Sequence, residues 1–481
     1  MDRTALLQAL GGTDSVRHAR RLFSLLGYAP DDVPAEDGTH VVARWRGFQV
    51  IASLSATPHD AARSLAKRLA TGSRRALALA CGPAELAIAA PRIGAPGITP
   101  LLMVPRTKPP ALALQLLCEL TPRQGDNGLA HALRVAEVLS AERAGERFFR
   151  RFRAALERMA TSLPIQGGAT DRRAAALIAL TRVLFLYFVQ AKGWLDGRPD
   201  YLRSLLDDAL AKRRDFHRDV LHPLFFGTLN RPPGERSRRL RLGRIPYLNG
   251  GLFEPHPVER RLGAVRFPND LWRETFDGVF ERFRFCVREA DEVTAVAPDM
   301  LGRVFERVMD DGERHVTGTF YTPESVVRQM VDAAIETALA GTCGLDPDAA
   351  HRIVTGRVTH RLEARAARSA LRRLRVLDPA AGSGAFLLGA LERLTEMRAG
   401  LGPPLDAAAR CRLRREILRN NLFGVDLSPI AVRLAELRLW LALVADDPTD
   451  DIAAITPLPN LDGILRQGDT LFDPVSAARA L

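Results

Sequence analysis

The first part of the chain alternates short apolar runs with clusters of Gly, Pro and Asp. Two helical stretches come first, and four strand-like runs follow at residues 40–45, 48–54, 76–82 and 86–91. Strands are commonly about four to eight residues long and are bounded by such turn residues. The pattern predicts a small α/β domain of uncertain role over residues 1–125, with the proline-rich stretch 105–110 as a linker or loop.

Apolar residues then recur at spacings of three and four over residues 128–210, which is the period of an amphipathic helix. A mainly helical domain is therefore predicted over residues 126–296. Within it, residues 227–257 are rich in Pro, Gly and Arg and predict an irregular excursion. A helix is expected again over residues 299–310, at the start of a third domain that spans residues 297–481.

The most informative stretch is RVLDPAAGSGAFLLGALERL, at residues 375–394. A short apolar strand at Val376 and Leu377 runs through an acid into a tight glycine turn, and an amphipathic helix is predicted to start near Ala385. Glycines let the backbone pass close beneath a ligand at the carboxyl end of a strand. These parts predict a Rossmann-type nucleotide site, although a glycine pair alone also occurs in turns of unrelated α/β proteins.

A second strand, predicted at residues 421–425, ends in the acid Asp426, and a helix is entered through Ser428 and Pro429. An acid in this position accepts hydrogen bonds from ribose hydroxyls in dinucleotide-binding folds. The interval from the glycine turn exceeds the ~20 residues of that fingerprint, so NAD fits poorly. The intervening residues predict a loop and one further helix.

The first two elements resemble motifs I and II of the amino-methylating DNA methyltransferases. The match to motif I carries alanine at position 381, where cysteine is common in that family, and it contains Asp378, Pro379, Ala380, Gly382, Ser383, Gly384 and Phe386. The match to motif II covers residues 424–429 and contains Asp426 and Leu427.

Two more segments resemble motifs of the same family, and all four occur in the order that its γ-type adenine enzymes use. Motif III corresponds to residues 468–471, with Asp469. Motif X, the GxFYTP signature, corresponds to residues 318–323, which contain Phe320, Tyr321, Thr322 and Pro323. A looser similarity to Eco57I-like and other phage-defence methylases extends upstream through residues 185–195 and 247–254, so the resemblance covers roughly residues 145–481.

This resemblance implies an S-adenosyl-L-methionine-dependent DNA adenine-N6 methyltransferase of a restriction-modification or phage-defence system. Residues 297–481 would form the Rossmann-type cofactor domain. By analogy with the family, Thr322 and neighbouring backbone would hold the methionine end of the cofactor, and Asp378 with the glycine turn its amino and carboxylate groups. Asp426 would hold the ribose, and Asp469 the adenine.

The catalytic loop of that family, Asp/Asn-Pro-Pro-Tyr/Phe, has no counterpart in the sequence. The Pro-Pro pairs lack a following aromatic residue and lie before motif II, at residues 109–110, 232–233 and 403–404. We therefore expect no catalytic residue in this chain, which would stop after motif III and be inactive by itself. The strand at Val376 would then have an open edge, and a downstream polypeptide with the missing loop and a target recognition domain is the expected partner.

A formal net charge of +12 favours an anionic partner, and double-stranded DNA is the expected one. The basic residues are nearly all arginine, a bias that coding-sequence composition also produces. The five cysteines have no ligand-like spacing, so neither a metal site nor a disulfide framework is expected. No apolar run approaching the ~20 residues of a membrane span and no export signal are recognised, so a cytoplasmic protein is expected.

A metal-dependent nuclease of the common type needs an acid two residues before a lysine. None of the four lysines has one, and Gln190 before Lys192 is the nearest approach. A degenerate nuclease fold that serves as a DNA or partner platform stays open for the first domain. The alternative to a methyltransferase is a non-catalytic DNA-binding or assembly subunit, or a gene remnant, of such a system. A protein or small-molecule methyltransferase is disfavoured by the position of motif X.

Overall fold

The structure is a computed structural model, and it describes residues 3–11, 16–71, 75–91, 99, 101–107, 109–163, 168–237, 242–248, 251–263, 265–287, 293–298, 300–301, 322–358 and 360–471. Contacts divide the chain into two compact units. The first comprises Met1–Arg150 with Asp277–Ala297, and the second comprises Arg151–Phe276 with Pro298–Leu481. These units divide the chain differently from the three domains predicted from the sequence, and the α/β class is confirmed in both.

The first unit contains helices on a six-stranded sheet. Its helices are α1 (Arg3–Gly11), α2 (Val16–Leu25), α3 (Pro58–Thr71), α4 (Ala111–Glu119), α5 (Gly128–Val138) and the first half of α6 (Ala141–Ser162). Its sheet contains β1 (Ala29–Pro34), β2 (His40–Trp45), β3 (Phe48–Leu54), β4 (Ala76–Cys81), β5 (Glu85–Ala89) and β6 (Leu102–Pro105). A separate short pair joins β7 (Arg284–Phe285) to β8 (Ala295–Val296) in parallel.

The six strands lie in chain order, and only β3 and β4 are parallel neighbours. Helix α3 makes the crossover that a parallel pair requires. Its apolar face packs on the sheet through Leu65 and Leu69 against Ile51 and Ala78. The four strands expected from apolar runs are therefore confirmed as β2 to β5.

Strands β1 and β6 were not predicted. The sequence of β1, APDDVP, is polar and has a proline at each end, and five of its six residues are exposed. Proline is tolerated there because β1 is the edge strand of the sheet, where one row of N–H groups needs no partner. A sequence of this kind gives no apolar alternation by which a strand is recognised.

The second unit begins with the helical part that the sequence predicts. The helices are the second half of α6, then α7 (Ala169–Ala191), α8 (Tyr201–Ala211), α9 (His222–Leu224) between the π-helical turns His217–Leu221 and Phe225–Leu229, α10 (Pro257–Leu262) and α11 (Asn269–Gly278). The described residues of the stretch 227–257 contain short turns of helix, as expected, including the 3₁₀ turns Pro233–Glu235 and Gly251–Phe253.

Helix α7 is the only described helix that is long and apolar enough to cross a membrane, and 83% of its most apolar window is buried inside the protein. The sequence therefore does contain an apolar helix of membrane-spanning length, contrary to the expectation. The burial is that of a core helix. Arg182, in the middle of α7, forms a two-pronged ion pair with Glu259 and donates to the carbonyl oxygen of Leu252.

The rest of the second unit alternates helices with a three-stranded parallel sheet. Its elements are α12 (Glu324–Gly341), α13 (Pro347–Val354), α14 (Arg361–Arg373), β9 (Val376–Asp378), α15 (Ala385–Gly400), α16 (Ala407–Asn420), β10 (Leu422–Asp426), α17 (Pro429–Asp446) and β11 (Leu465–Gln467). The helix expected over residues 299–310 lies largely outside the described residues.

The strand order is β11–β10–β9, with β10 in the middle. Strand β9 has a neighbour on one side only within the part of the chain that the structure describes. Leu377, at its centre, is 61% exposed, whereas parallel strands are ordinarily covered on both faces. The three strands run parallel, so their carboxyl ends meet at one edge, and this edge carries the residues singled out in the sequence.

Candidate cofactor-binding site

The glycine turn between β9 and α15 has the backbone that only glycine adopts readily. Gly382 has φ of 53° and Gly384 has φ of 83°. A Cβ atom at Gly384 would lie 3.0 Å from the Cβ atom of Ala435 on α17. The turn therefore needs glycine for its conformation at both positions and for close packing at the second.

Asp426, at the end of β10, binds this turn directly. Its Oδ2 accepts a hydrogen bond from the backbone N–H of Gly382 at 2.8 Å, and its Oδ1 accepts one from Ser428 at 2.8 Å. Ser428 caps α17 by accepting from the N–H of Ala431. The glycine turn and the acid, 44 residues apart in the sequence, thus meet in one place.

The end of β11 joins the same place. The N–H of Gly468 donates to the carbonyl oxygen of Asp426 at 3.0 Å, and the hydroxyl of Thr470 donates to the carbonyl oxygen of Pro379 at 3.0 Å. Asp469 lies between them with an exposed side chain, whose Oδ1 accepts from the N–H of Leu471. The segments that resemble motifs I, II and III therefore converge.

Asp378 has the most unusual environment of the acids at this edge. Its Oδ1 accepts from the N–H of Ala380 at 3.2 Å, but its Oδ2 is buried and has no hydrogen-bond partner among the described residues. Burial raises the pKa of this carboxyl, and the negative charge of Asp426 raises it further. A cationic or N–H-bearing ligand would satisfy the open oxygen and offset the repulsion between the two acids.

The segment that resembles motif X is described only in part. Phe320 and Tyr321 lie outside the described residues. Thr322 and Pro323 stand immediately before α12, which packs on α15 through Val327, close to Gly389. This contact places the first turn of α12 beside the second turn of α15, five residues after Gly384.

Four further predicted residues lie near Asp378 and Asp426, in the loops that follow β9 and β10 or in the first turn of α15. Ala380 is exposed and supplies the N–H that Asp378 accepts, while Ser383 is 4% exposed. Phe386 is half-buried in the first turn of α15, and Leu427 is 62% exposed beside Asp426. The structure thus gives the predicted set both polar groups and apolar surface at one sheet edge.

Two buried polar residues that were not predicted from the sequence bind the backbone around the site. Arg438 on α17 donates from Nη1 to the carbonyl oxygen and to the hydroxyl of Ser383. Asn421, fully buried before β10, donates to the carbonyl oxygens of Leu371 and Leu374 and fixes the entry to β9. The signal for Arg438 was a charge among the apolar residues of α17, but the same helix also carries Arg433, Glu436 and Asp446, so charge alone did not single it out.

Among the described residues, no group of three or more His, Cys, Asp and Glu side chains could hold a metal ion. The five cysteines all lie among the described residues and form no disulfide, and Cys81 and Cys411 are buried. Burial raises the pKa of both thiols, which keeps them protonated and poorly reactive.

The part of the chain that surrounds this site is similar to known proteins. Residues 356–461, which include the glycine turn and Asp426, match the family described as MmeI, DNA-methyltransferase domain. The resemblance to DNA methyltransferases of restriction-modification systems, drawn from the motifs, is confirmed by this match and by the relatives that follow.

A protein of Methanocaldococcus jannaschii, described as a putative type II restriction enzyme and methyltransferase, is 30% identical over 333 residues, or 63% of this chain. The chain spans 27% of the length of that relative. A second relative, the adenine-specific methyltransferase PglX of Streptomyces coelicolor, is 38% identical over 72 residues, which are 15% of this chain and 6% of that protein.

Among solved structures, the type IIL restriction-modification enzyme MmeI in complex with DNA is 19% identical, with a TM-score of 0.45, over 70% of this chain and 41% of that one. A DrdV–DNA complex has a TM-score of 0.28 and 15% identity, over 93% of this chain and 39% of that chain. Likenesses of this extent do not establish a common fold for the whole chain.

Proposed function

We propose, from the match of residues 356–461 to a DNA-methyltransferase domain, that this chain binds S-adenosylmethionine for the methylation of adenine N6 in DNA within a restriction-modification or phage-defence system. The observation that carries the proposal is the hydrogen bond from the Gly382 N–H to Asp426 Oδ2 at 2.8 Å. It joins the two motifs that the family uses for one ligand at the carboxyl edge of a parallel sheet, where nucleotide ligands bind in doubly wound folds.

The charges of the site fit that cofactor. S-adenosylmethionine carries an ammonium and a sulfonium group, and the site offers the carboxylates of Asp378 and Asp426. The open Oδ2 of Asp378 lies at the start of the glycine turn and would accept from the ammonium. Asp426 uses one lone pair of each oxygen on Gly382 and Ser428, so each oxygen keeps a second lone pair for the ribose hydroxyls.

The remaining contacts would hold the nucleoside in one orientation. Thr470 ties the end of β11 to Pro379, which brings Asp469 alongside the glycine turn for the adenine. Leu427 offers apolar surface beside Asp426 for the flat ring. When bound, the cofactor supplies the methyl group, and the described residues of this chain bind and orient it.

Calorimetry with S-adenosylmethionine tests the proposal. Asp378→Asn and Asp426→Asn should each weaken binding by about tenfold or more, because each removes a charge that faces a cationic or hydroxylated ligand. Asp406→Asn is the matched control. Asp406 also accepts a backbone N–H, from Ala409 at 2.6 Å, but it caps α16 outside the three motifs, so its substitution should leave the affinity unchanged. A folded wild-type chain that takes up no cofactor would refute the proposal.

Methyl transfer to double-stranded DNA is proposed for the completed enzyme. Leu377 is exposed on a face of β9, and β9 has no described neighbour along one edge. Both features support completion by a polypeptide that adds a parallel strand along that edge and supplies the Pro-Pro-aromatic loop. Co-expression with such a segment should increase the soluble yield and give transfer of labelled methyl groups to DNA. If the complex binds cofactor and DNA but transfers nothing, the chain is a non-catalytic DNA-binding or assembly subunit instead.

A further inference from the structure

One buried arginine donates hydrogen bonds to the glycine turn. Arg438 lies on α17 and is 9% exposed. Its Nη1 lies 2.8 Å from the carbonyl oxygen of Ser383 and 2.9 Å from the Ser383 hydroxyl. Ser383 is the central residue of the turn and is itself buried. A guanidinium in this position binds the backbone and the side chain of the same residue.

The turn has reason to need such a support. Both neighbours of Ser383 are glycines with positive φ, and glycine backbones have more alternative conformations than any other residue. Ala435, one helical turn before Arg438, packs against the Cα of Gly384. Helix α17 therefore contacts two consecutive residues of the turn, one by close packing and one by charge-assisted hydrogen bonds.

We propose that Arg438 is a positioning residue, which acts through Ser383 to keep the glycine turn in its cofactor-binding conformation. The inference rests on the proposed function and adds a determinant of affinity. A turn that is already ordered loses less conformational entropy when the ligand binds. Loss of Arg438 should therefore loosen the turn in the free protein and weaken cofactor binding.

The matched control is Arg415 on α16. It is 7% exposed, donates to the carbonyl oxygens of Pro457 and Thr456, forms an ion pair with Asp447, and has no hydrogen bond to the glycine turn among the described residues. Arg438→Met and Arg415→Met each remove a buried guanidinium that binds backbone, so both should lower the unfolding temperature. Only the first should weaken S-adenosylmethionine binding, by about tenfold or more, at a temperature where both variants are folded.

Two variants grade the effect. Arg438→Lys keeps a charged donor and should recover part of the affinity, whereas Ser383→Ala removes the hydroxyl acceptor but keeps the carbonyl oxygen and should lower the affinity by only a few fold. Equal affinities of Arg438→Met and Arg415→Met for the cofactor would overturn the proposal.

Hydrogen exchange of residues 380–386 in the cofactor-free chain gives a second readout. Exchange should be faster in Arg438→Met than in the wild type or in Arg415→Met, and unchanged exchange would contradict the proposal. This measurement needs no cofactor, so it separates the two proposals. If the wild-type chain binds no S-adenosylmethionine, the proposed function fails, while the exchange result still decides whether Arg438 orders the turn.

Discussion

The interiors of the two units differ in chemistry. The sheet of the first unit packs on α3 through alanine, leucine, valine, isoleucine and methionine, and Arg147 is the only buried arginine among its described residues. The described part of the second unit buries six arginines, Arg182, Arg393, Arg414, Arg415, Arg433 and Arg438. Most of these guanidinium groups donate to backbone carbonyl oxygens or to carboxylates of other segments.

This difference shows two ways of fixing a structure. Apolar packing is non-directional and stabilises roughly in proportion to buried area. A buried guanidinium gains little net stability, but it fixes the loops that it binds, because an unpaired buried charge is very costly. The second unit therefore orders irregular segments that apolar contacts alone would leave undetermined, and its ligand-binding turn is one of them.

The largest effect is expected from breaking the ion pair of Arg182 and Glu259. Arg182→Met leaves the Glu259 carboxylate without its partner, which should cost about 3–5 kcal/mol of the unfolding free energy of the second unit. Denaturant unfolding measures the loss. The double variant Arg182→Met/Glu259→Gln should recover part of it, and a double variant that loses the sum of both single effects would contradict the charge-burial explanation.

A comparable or smaller loss is expected in the first unit from Ile51→Ala. Ile51 is 2% exposed and packs between the sheet and α3, so the cavity should cost about 2–4 kcal/mol. Leu54→Ala, at the 54% exposed end of the same strand, is the control and should cost well under 1 kcal/mol. Cofactor affinity of the folded protein should not change in either variant, because the site lies in the other unit. A lower affinity would show that the units are coupled.

The last effect vanishes at neutral pH and concerns the acid stability of the first unit. The Tyr28 hydroxyl donates to the carbonyl oxygen of Leu120, so Nε2 of His131 donates to that hydroxyl, and Nδ1 accepts from Arg134. Burial, and then the charge of Arg134, lowers the pKa of His131 from 6.5 to about 4. In the unfolded chain, His131 therefore binds a proton below about pH 6.5, whereas in the folded chain it binds that proton only below about pH 4.

His131 should consequently destabilise the first unit by about 3 kcal/mol as the pH falls from 6.5 to 4, with no effect well above pH 6.5. Unfolding measured over this range should show a shallower acid dependence in His131→Gln than in the wild type. Arg134→Gln, which keeps the imidazole but removes the adjacent charge, should give an intermediate slope. Identical slopes in all three proteins would exclude His131 as the cause.

Much of the second unit's sheet was predictable because its signals are local. The glycine turn, the capping Ser428 with Pro429 after it, and the start of α15 at Ala385 each follow from a few adjacent residues. In the first unit, the apolar runs of β2 to β5 were equally local. The α/β class, the glycine turn and the acid at the end of β10 thus followed from residue type and spacing, whereas the kinship with DNA methyltransferases came from the resemblance of the motifs, which the family match supports.

What the tertiary structure decided depends on residues distant in the sequence. Only folding brings the Asp426 carboxylate to the Gly382 N–H, leaves Asp378 Oδ2 open, and places Arg438 beneath Ser383. The edge strand β1 also depends on tertiary structure, because its polar residues form a strand only by pairing with β2. Local sequence specifies conformational preference, but hydrogen-bond partners and burial are properties of the packed chain, and these set the charge and order of the site.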